Sequence, residues 1–249
     1  MTKKIMTKKK KQLRLSPSSL SNWYYGKCPQ AWKFDRSYQV VDGGVNEAME
    51  RGSLVHSMLE GKTDPAAVTD NKAITLYQKL NDIRTRLGIT ITDVEKWQTF
   101  PVMENVIWAR KIDAMATFPT GEKILIDYKT SGGKWKVVDS KSAFVSPQAL
   151  GFQGIGYLLP PPDIKDWPTK VIFLVASWAK TPQIFEVDYS DEERDNLLNA
   201  ITIVKNCVLQ DLDVVKVRGY HCFNCNYQEI CYESPKYESL YKAKRTYKG

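Results

Sequence analysis

A chain of 249 residues that is 43% hydrophobic and 26% charged can bury one sizeable core or two small ones, and a mean hydropathy of −0.40 excludes a membrane-dominated protein. No apolar run approaches the roughly 20 residues of a membrane span and no secretory-leader pattern occurs, so a soluble, cytoplasmic protein is expected. The net charge of +8 is unevenly spread: residues 1–14 hold six lysines and Arg14 with no acid, residues 241–249 add Lys242, Lys244, Arg245 and Lys248, and the rest carries 25 basic against 28 acidic residues.

The basicity lives in the tails. This divides the chain into a disordered basic arm over 1–14, a folded body over 15–232 and a basic tail over 233–249. The arm, through Lys8, Lys9, Lys10, Lys11 and Arg14, is a candidate nucleic-acid tether. Ser16-Pro17 reads as an N-cap with proline at the first helical position, opening a helix with Leu20, Trp23 and Tyr24 on its apolar face and Cys28 near its end. A connector at Asp42-Gly43-Gly44 precedes a second helix over about 46–60, with His56 at its flank, and a third follows over 71–87.

From Ile89 the apolar period changes toward two, predicting strands over 91–100, 105–118 and 123–129. A helix is expected over 147–159, then strands over 170–178 and 183–188 joined by a turn at Lys180-Thr181-Pro182. Ser190 and Glu193 form a capping box ahead of a long helix carrying Leu197, Ile201, Val204, Cys207 and Val208. Beyond Asp213 the chain is poor in aliphatics and rich in Cys and Tyr, so it needs a staple.

The hairpin around Phe118-Pro119-Thr120-Gly121-Glu122 carries the sharpest chemistry. Pairing Phe118 with Glu122 places Asp113 opposite Asp127, with Lys129 on the same face and Ile112, Ala114, Ile124 and Ile126 turned to an apolar layer. Two facing carboxylates repel, so a cation belongs between them. Oxygen ligands suit Mg²⁺ or Mn²⁺, with Lys129 near a bound water; an exposed Asp–Lys face is the plain alternative. Glu95, on the preceding strand, is spaced too loosely for an assisting role to be the first reading and reads as a surface carboxylate. Three of the five cysteines, Cys222, Cys225 and Cys231, follow a C-x2-C-x5-C pattern, and Cys28 stands almost at the other end. Such clustering favours metal over disulfide, and four thiolates fit an iron–sulfur cluster better than a two-pair zinc site. Cys207 reads as a buried thiol, and His221 as an unneeded fifth ligand.

The order Cys28-Pro29, Gly52-x3-His56, Lys111-Ile112-Asp113, Asp127-Tyr128-Lys129, Gln153-x3-Tyr157 and C-x2-C-x5-C resembles the RecB-like branch of the PD-(D/E)XK nucleases. Within that branch it is most similar to the iron–sulfur members, the AddB nuclease domain and the CRISPR-associated exonucleases. The resemblance spans about residues 16–232. It implies an α/β fold with a restriction-endonuclease-like core, a central mixed sheet flanked by helices, a helical N-terminal part and an Fe–S-stapled C-terminus. It further implies that His56, Asp113, Asp127 and the Tyr128 carbonyl ligate a catalytic Mg²⁺ or Mn²⁺. Lys129 would position the attacking water, Gln153 and Tyr157 would organise the site, and Cys28, Cys222, Cys225 and Cys231 would hold a [4Fe–4S] cluster.

The function expected is a metal-dependent deoxyribonuclease, an exonuclease on single-stranded DNA or DNA ends with 5′ to 3′ preference. Its setting would be phage or prokaryotic recombination, replication or repair, with DNA and other proteins of those systems as partners. The alternatives are a noncatalytic DNA-binding or scaffold protein on a nuclease-like fold and a zinc-stapled interaction protein. A helicase motor is excluded, as no G-x4-G-K-[ST] phosphate loop occurs.

Overall fold

The computed structural model describes residues 12–26, 28–40, 47–131, 146–210, 225–232 and 241–243, together with residues 212, 214, 216 and 222. Lys8, Lys9, Lys10, Lys11, the Asp42-Gly43-Gly44 connector, His221 and most of the C-terminal tail lie outside the described residues. No helix among the described residues is long and apolar enough to cross a membrane.

The chain begins with strand β1 (Leu13–Leu15), whose Leu13 and Leu15 are buried while Arg14 is exposed. The sheet thus takes in Leu13 and Arg14, which charge alone assigns to the arm, because leucines two apart can bury one strand face. Helix α1 (Pro17–Tyr25) starts where expected, with Ser16 Oγ accepting from the Ser19 N–H at 3.2 Å. It stops earlier than expected. A Cβ at Gly26 would lie 1.9 Å from the Asn22 carbonyl oxygen, and helix α2 (Pro29–Ser37) opens anew on Pro29. Cys28 therefore sits in the corner between two helices, not near the end of one.

Strand β2 (Tyr38–Val40), helices α3 (Glu47–Leu59) and α4 (Asn71–Arg86), and strands β3 (Thr90–Met103), β4 (Val106–Thr117) and β5 (Lys123–Ser131) follow. Then come helix α5 (Pro147–Leu158), strands β6 (Lys170–Ser177) and β7 (Lys180–Asp188), helix α6 (Asp191–Leu209), the short helix α7 (Gln228–Cys231) and strand β8 (Tyr241–Ala243). The β6–β7 turn falls at Trp178-Ala179, ahead of its expected place, because Ser177 pairs with Lys180. Lys79 Nζ clasps that turn, donating to the carbonyls of Ser177, Trp178 and Lys180 at 2.9, 3.0 and 2.7 Å. Pro182 is tolerated inside β7 because this is an edge strand.

The main sheet runs β1-β4-β5-β6-β7, with β3 paired to β4; β1–β4 and β5–β6 are parallel and the other pairs antiparallel. It is a mixed α/β architecture with helices on both faces. One face packs Leu125, Val171, Phe173 and Val175 against Leu20 and Trp23 of α1, Leu150 and Leu158 of α5, and Leu197, Ile201 and Val204 of α6. The other packs Ile124, Ile126, Ile172 and Leu174 against Val55 and Met58 of α3 and Leu76, Leu80 and Ile83 of α4.

Helix α5 lies unusually close to its neighbours. A Cβ at Gly154 would stand 2.7 Å from Val187 Cβ, and one at Gly156 would stand 3.0 Å from Trp108 Cζ2. Its C-terminal carbonyls are satisfied by a buried arginine: Arg110 Nη1 donates to the carbonyls of Gly156, Tyr157 and Leu159 at 3.1, 2.7 and 2.6 Å. Burial pulls this guanidinium down to about 9, yet the carbonyls and the Trp167 and Phe100 rings keep it charged at neutral pH. Gly154→Ala is expected to cost about 1–3 kcal/mol through overpacking against Val187, read as a lower urea midpoint at unchanged slope.

Candidate active site

The hairpin register runs as the sequence demands, with Thr117 opposite Lys123, Ala114 opposite Ile126, and the Phe118 N–H on the Glu122 carbonyl at 2.9 Å. At the next position the ladder ends, so Asp113 and Asp127, expected opposite each other if no bulge intervened, do not form a paired rung. Asp113 turns its carboxylate between the strands, and Oδ2 accepts the Tyr128 N–H at 2.9 Å where a partner strand would have presented a carbonyl. The strand changes faces at this point. Ala114 and Ala116 pack on the α3–α4 side as expected, but Ile112 joins the opposite core with Trp108, because the alternation breaks at Asp113.

Around this opening the expected residues come together. His56 Nδ1, carried by α3, lies 3.4 Å from Asp113 Oδ2, and its ring stands edge-on to Tyr128. Lys129 Nζ pairs with the buried Asp127 Oδ2 at 2.7 Å. Tyr157 of α5 hydrogen-bonds Asp127 from above the sheet. Gln153, one turn earlier, places Nε2 3.4 Å from Ser21 Oγ and leaves Oε1 buried without a partner.

Three pKa shifts follow from this packing. Burial raises Asp127, reinforced by the charge of Asp113 and opposed by Lys129. Burial and the two aspartates push the Tyr157 phenol well above its usual range, so it is neutral and donates. For His56 burial works against the imidazolium, but the hydrogen bond and charge of Asp113 outweigh it and the pKa rises.

The donor set is carboxylate oxygen and imidazole nitrogen, with a buried Gln153 oxygen left without a partner beside it, which suits a hard divalent cation. No three His, Cys, Asp or Glu side chains among the described residues stand ready to grip one metal ion. The Tyr128 hydroxyl is occupied by Arg84 Nη1 at 3.3 Å. Beside His56 a cleft of about 580 Å³ opens, lined by Gly52, Glu60, Lys62, Glu95, Lys111 and Thr130 among others. Glu95 is not the surface carboxylate expected: it is only 23% exposed and pairs with both Lys62 and Lys111.

The second expected constellation also assembles. Cys28, Cys222, Cys225 and Cys231 line one small cavity of about 30 Å³ with Phe34, Lys216 and Tyr227. Burial and the three neighbouring thiols raise Cys231, opposed by Lys216. Tyr227 Oη donates to Asp35 Oδ1 at 2.7 Å, tying the C-terminal segment to α2 without any metal. Cys207 is half-buried on α6, its solvent-facing edge left open because the helix lies over the sheet with one side free.

No protein-family model matches the sequence, and no curated protein matches it. Among solved structures, a protein from Eubacterium rectale named provisionally as an exonuclease superposes with a TM-score of 0.53 at 16% identity, covering 87% of this chain and 89% of that one. The chain shares that fold. An alkaline exonuclease from Laribacter hongkongensis is similar with a TM-score of 0.44 at 9% identity, over 80% of this chain and 89% of that chain.

Three residues of the site escaped the motif pattern. Ser21 is buried on α1 and holds Gln153, but a serine in an N-terminal helix carries no signal of its own. Arg110 fixes the end of the helix bearing Tyr157, and its signal was a lone arginine in phase with Trp108 and Ile112 on an apolar strand. Glu60 is 4% exposed and stands one helical turn past His56, a spacing visible in Gly52-x3-His56-x3-Glu60.

A raised Asp127 pKa means that the folded protein binds this proton more tightly than the unfolded chain. Stability therefore falls as pH rises from the ordinary aspartate range through the raised pKa, and at neutral pH the ionised carboxylate opposes folding. Asp127→Asn in metal-free protein is expected to raise the melting temperature at pH 7 by about 2–4 °C, what about 1 kcal/mol is worth at this size. The two melting curves should converge as the pH is lowered.

Proposed function

We infer that the chain is a metal-dependent deoxyribonuclease of the RecB-like branch of the PD-(D/E)XK nucleases, acting as an exonuclease on single strands or DNA ends. The observation that carries this reading is the opening between β4 and β5, where Lys129, His56 and Tyr157 meet around the two buried carboxylates of Asp113 and Asp127. The fold shared with the Eubacterium rectale protein is in keeping with it. The resemblance also suggests a 5′ to 3′ preference and a role in phage or prokaryotic DNA recombination, replication or repair.

Asp113, Asp127 and His56, with the Tyr128 carbonyl, would hold a Mg²⁺ or Mn²⁺ ion. When bound, the ion supplies a Lewis acid for the phosphodiester and lowers the pKa of a water. The protein's own part is positional and electrostatic. Tyr157, neutral and donating, fixes the rotamer of Asp127, and Asp113 is fixed in turn by the Tyr128 N–H. Lys129, paired with Asp127, would position the attacking water and stabilise the charge that develops on the phosphate oxygens. Gln153, held by Ser21, offers its free Oε1 to orient a water. Lys8, Lys9, Lys10, Lys11 and the exposed Arg14 would add sequence-independent attraction to DNA.

The four cysteines would hold a [4Fe–4S] cluster. Zinc requires all its sulfurs about 2.3 Å from one point, whereas a cluster takes each thiolate on a separate iron. Four thiols from both ends of the chain that line one cavity would supply one thiolate to each iron.

End-labelled single-stranded, duplex and circular DNA should be compared with Mg²⁺ or Mn²⁺ and with chelator. Linear single strands should be degraded and circles resist. Asp113→Ala or Lys129→Ala should lower the turnover rate at least a hundredfold while DNA binding persists. Full cleavage by Lys129→Ala would overturn the assignment. Anaerobically prepared protein should be brown with about four irons per chain, and Cys28→Ser should lose them while Cys207→Ser keeps them.

A further inference from the structure

The exposed face of the β3–β4 pair lies beside the cleft and has three unusual features. Trp97 is 65% exposed although it sits in the middle of a strand. It is directly opposite Lys111 in the ladder, so both side chains stand on the same face. Glu95, two residues before Trp97, has φ of +49°, a left-handed conformation that a residue with a Cβ rarely adopts within a strand. From that conformation it reaches diagonally to Lys111 and across to Lys62, two cations of the cleft that also contains His56.

Lys62 has a second carboxylate, Glu60, at 3.1 Å. Lys111 has Glu95. Among the described residues the other tryptophans do not share this setting: Trp23, Trp32, Trp108 and Trp167 are buried, and Trp178 has Lys72 Nζ 5.4 Å from its ring centroid. A large flat aromatic at an open edge next to paired lysines is the arrangement that takes a base on the ring and its phosphate on the cations.

We propose that this face is a track for single-stranded DNA leading into the cleft, in which Trp97 stacks on a base, Lys111 and Lys62 hold the adjoining phosphate, and Glu95 fills the phosphate's seat until DNA displaces it. This rests on the nuclease reading and specifies its substrate as an unpaired strand. Glu95 then works against loose binding: only a strand whose base reaches Trp97 recovers the interaction lost when the carboxylate leaves its lysines. Duplex DNA cannot offer an unstacked base and gains nothing from the ring.

The test is binding of labelled oligothymidylate and of a blunt duplex to full-length protein in chelator, where no cleavage occurs, across a salt series. Trp97→Ala should weaken single-strand binding about tenfold and leave duplex binding within twofold. Trp97→Phe should restore most of the affinity. Glu95→Gln should tighten single-strand binding several-fold at low salt and steepen the log–log salt slope by about 0.7, the value of one more phosphate contact.

Equal loss on both substrates with Trp97→Ala, or an unchanged salt slope with a weakened Mn²⁺ affinity in Glu95→Gln, would overturn the proposal. Melting temperatures of all variants separate these results from misfolding, and Trp97→Phe keeps the stacking arm decisive if the alanine variant does not fold. Wild-type protein that cleaves linear DNA while Trp97→Ala binds normally defeats the track alone. Wild-type protein that neither binds nor cleaves defeats the nuclease reading beneath it.

Discussion

The Tyr128 N–H is bonded to a carboxylate in a place where a sheet ordinarily provides a carbonyl, and the arrangement of the whole site follows from that exchange. A backbone donor in a buried strand must find an acceptor, and the cost of leaving it without one is of order 1–3 kcal/mol. By satisfying it with a side chain, the fold lets β4 part from β5 without an orphaned amide. The gap receives His56 from one face and Tyr157 from the other. Asp113 is thereby both a structural bond and a reactive group, so its position is fixed by the sheet and not by a loop.

The layer above the gap is braced with equal care. Helix α5 approaches through two glycines, ends on a buried guanidinium, and shares Trp108 as a packing partner, whose indole N–H also donates to the Gly156 carbonyl at 3.0 Å. Arg110 holds three carbonyls of that helix end, those of Gly156, Tyr157 and Leu159, and stacks between aromatic rings, so the phenol of Tyr157 has little freedom to drift. A positioned donor over a buried carboxylate is preorganised at folding, which spares reorganisation during a reaction.

Much of this was legible because local rules sufficed. The Phe118 to Glu122 turn dictates the index sum of the hairpin, and parity alone then puts Lys129 beside Asp127. The capping serines at 16 and 190 fall where expected because a cap is a contact within one turn of helix. What stayed hidden depends on partners far along the chain. The change of face at Asp113, which sends Ile112 to the other core, arises from β4 pairing with β1 at one end and β5 at the other. Cys28 at a helix corner needed the clash at Gly26 to be seen, and the pairing of Glu95 needed Lys62 to arrive from α3's far end.

The four thiols and the Tyr227–Asp35 bond join positions near 28–35 to positions near 222–231. A permanent bridge there would make almost the entire protein a closed ring. Ring closure over a span of that length lowers the entropy of the unfolded chain by an amount worth about 5 kcal/mol, and the gain grows only logarithmically with span. A backbone break anywhere inside the ring would then leave both pieces on one molecule, so limited proteolysis of such a chain would show nicked protein of undiminished mass until the bridge itself was dismantled.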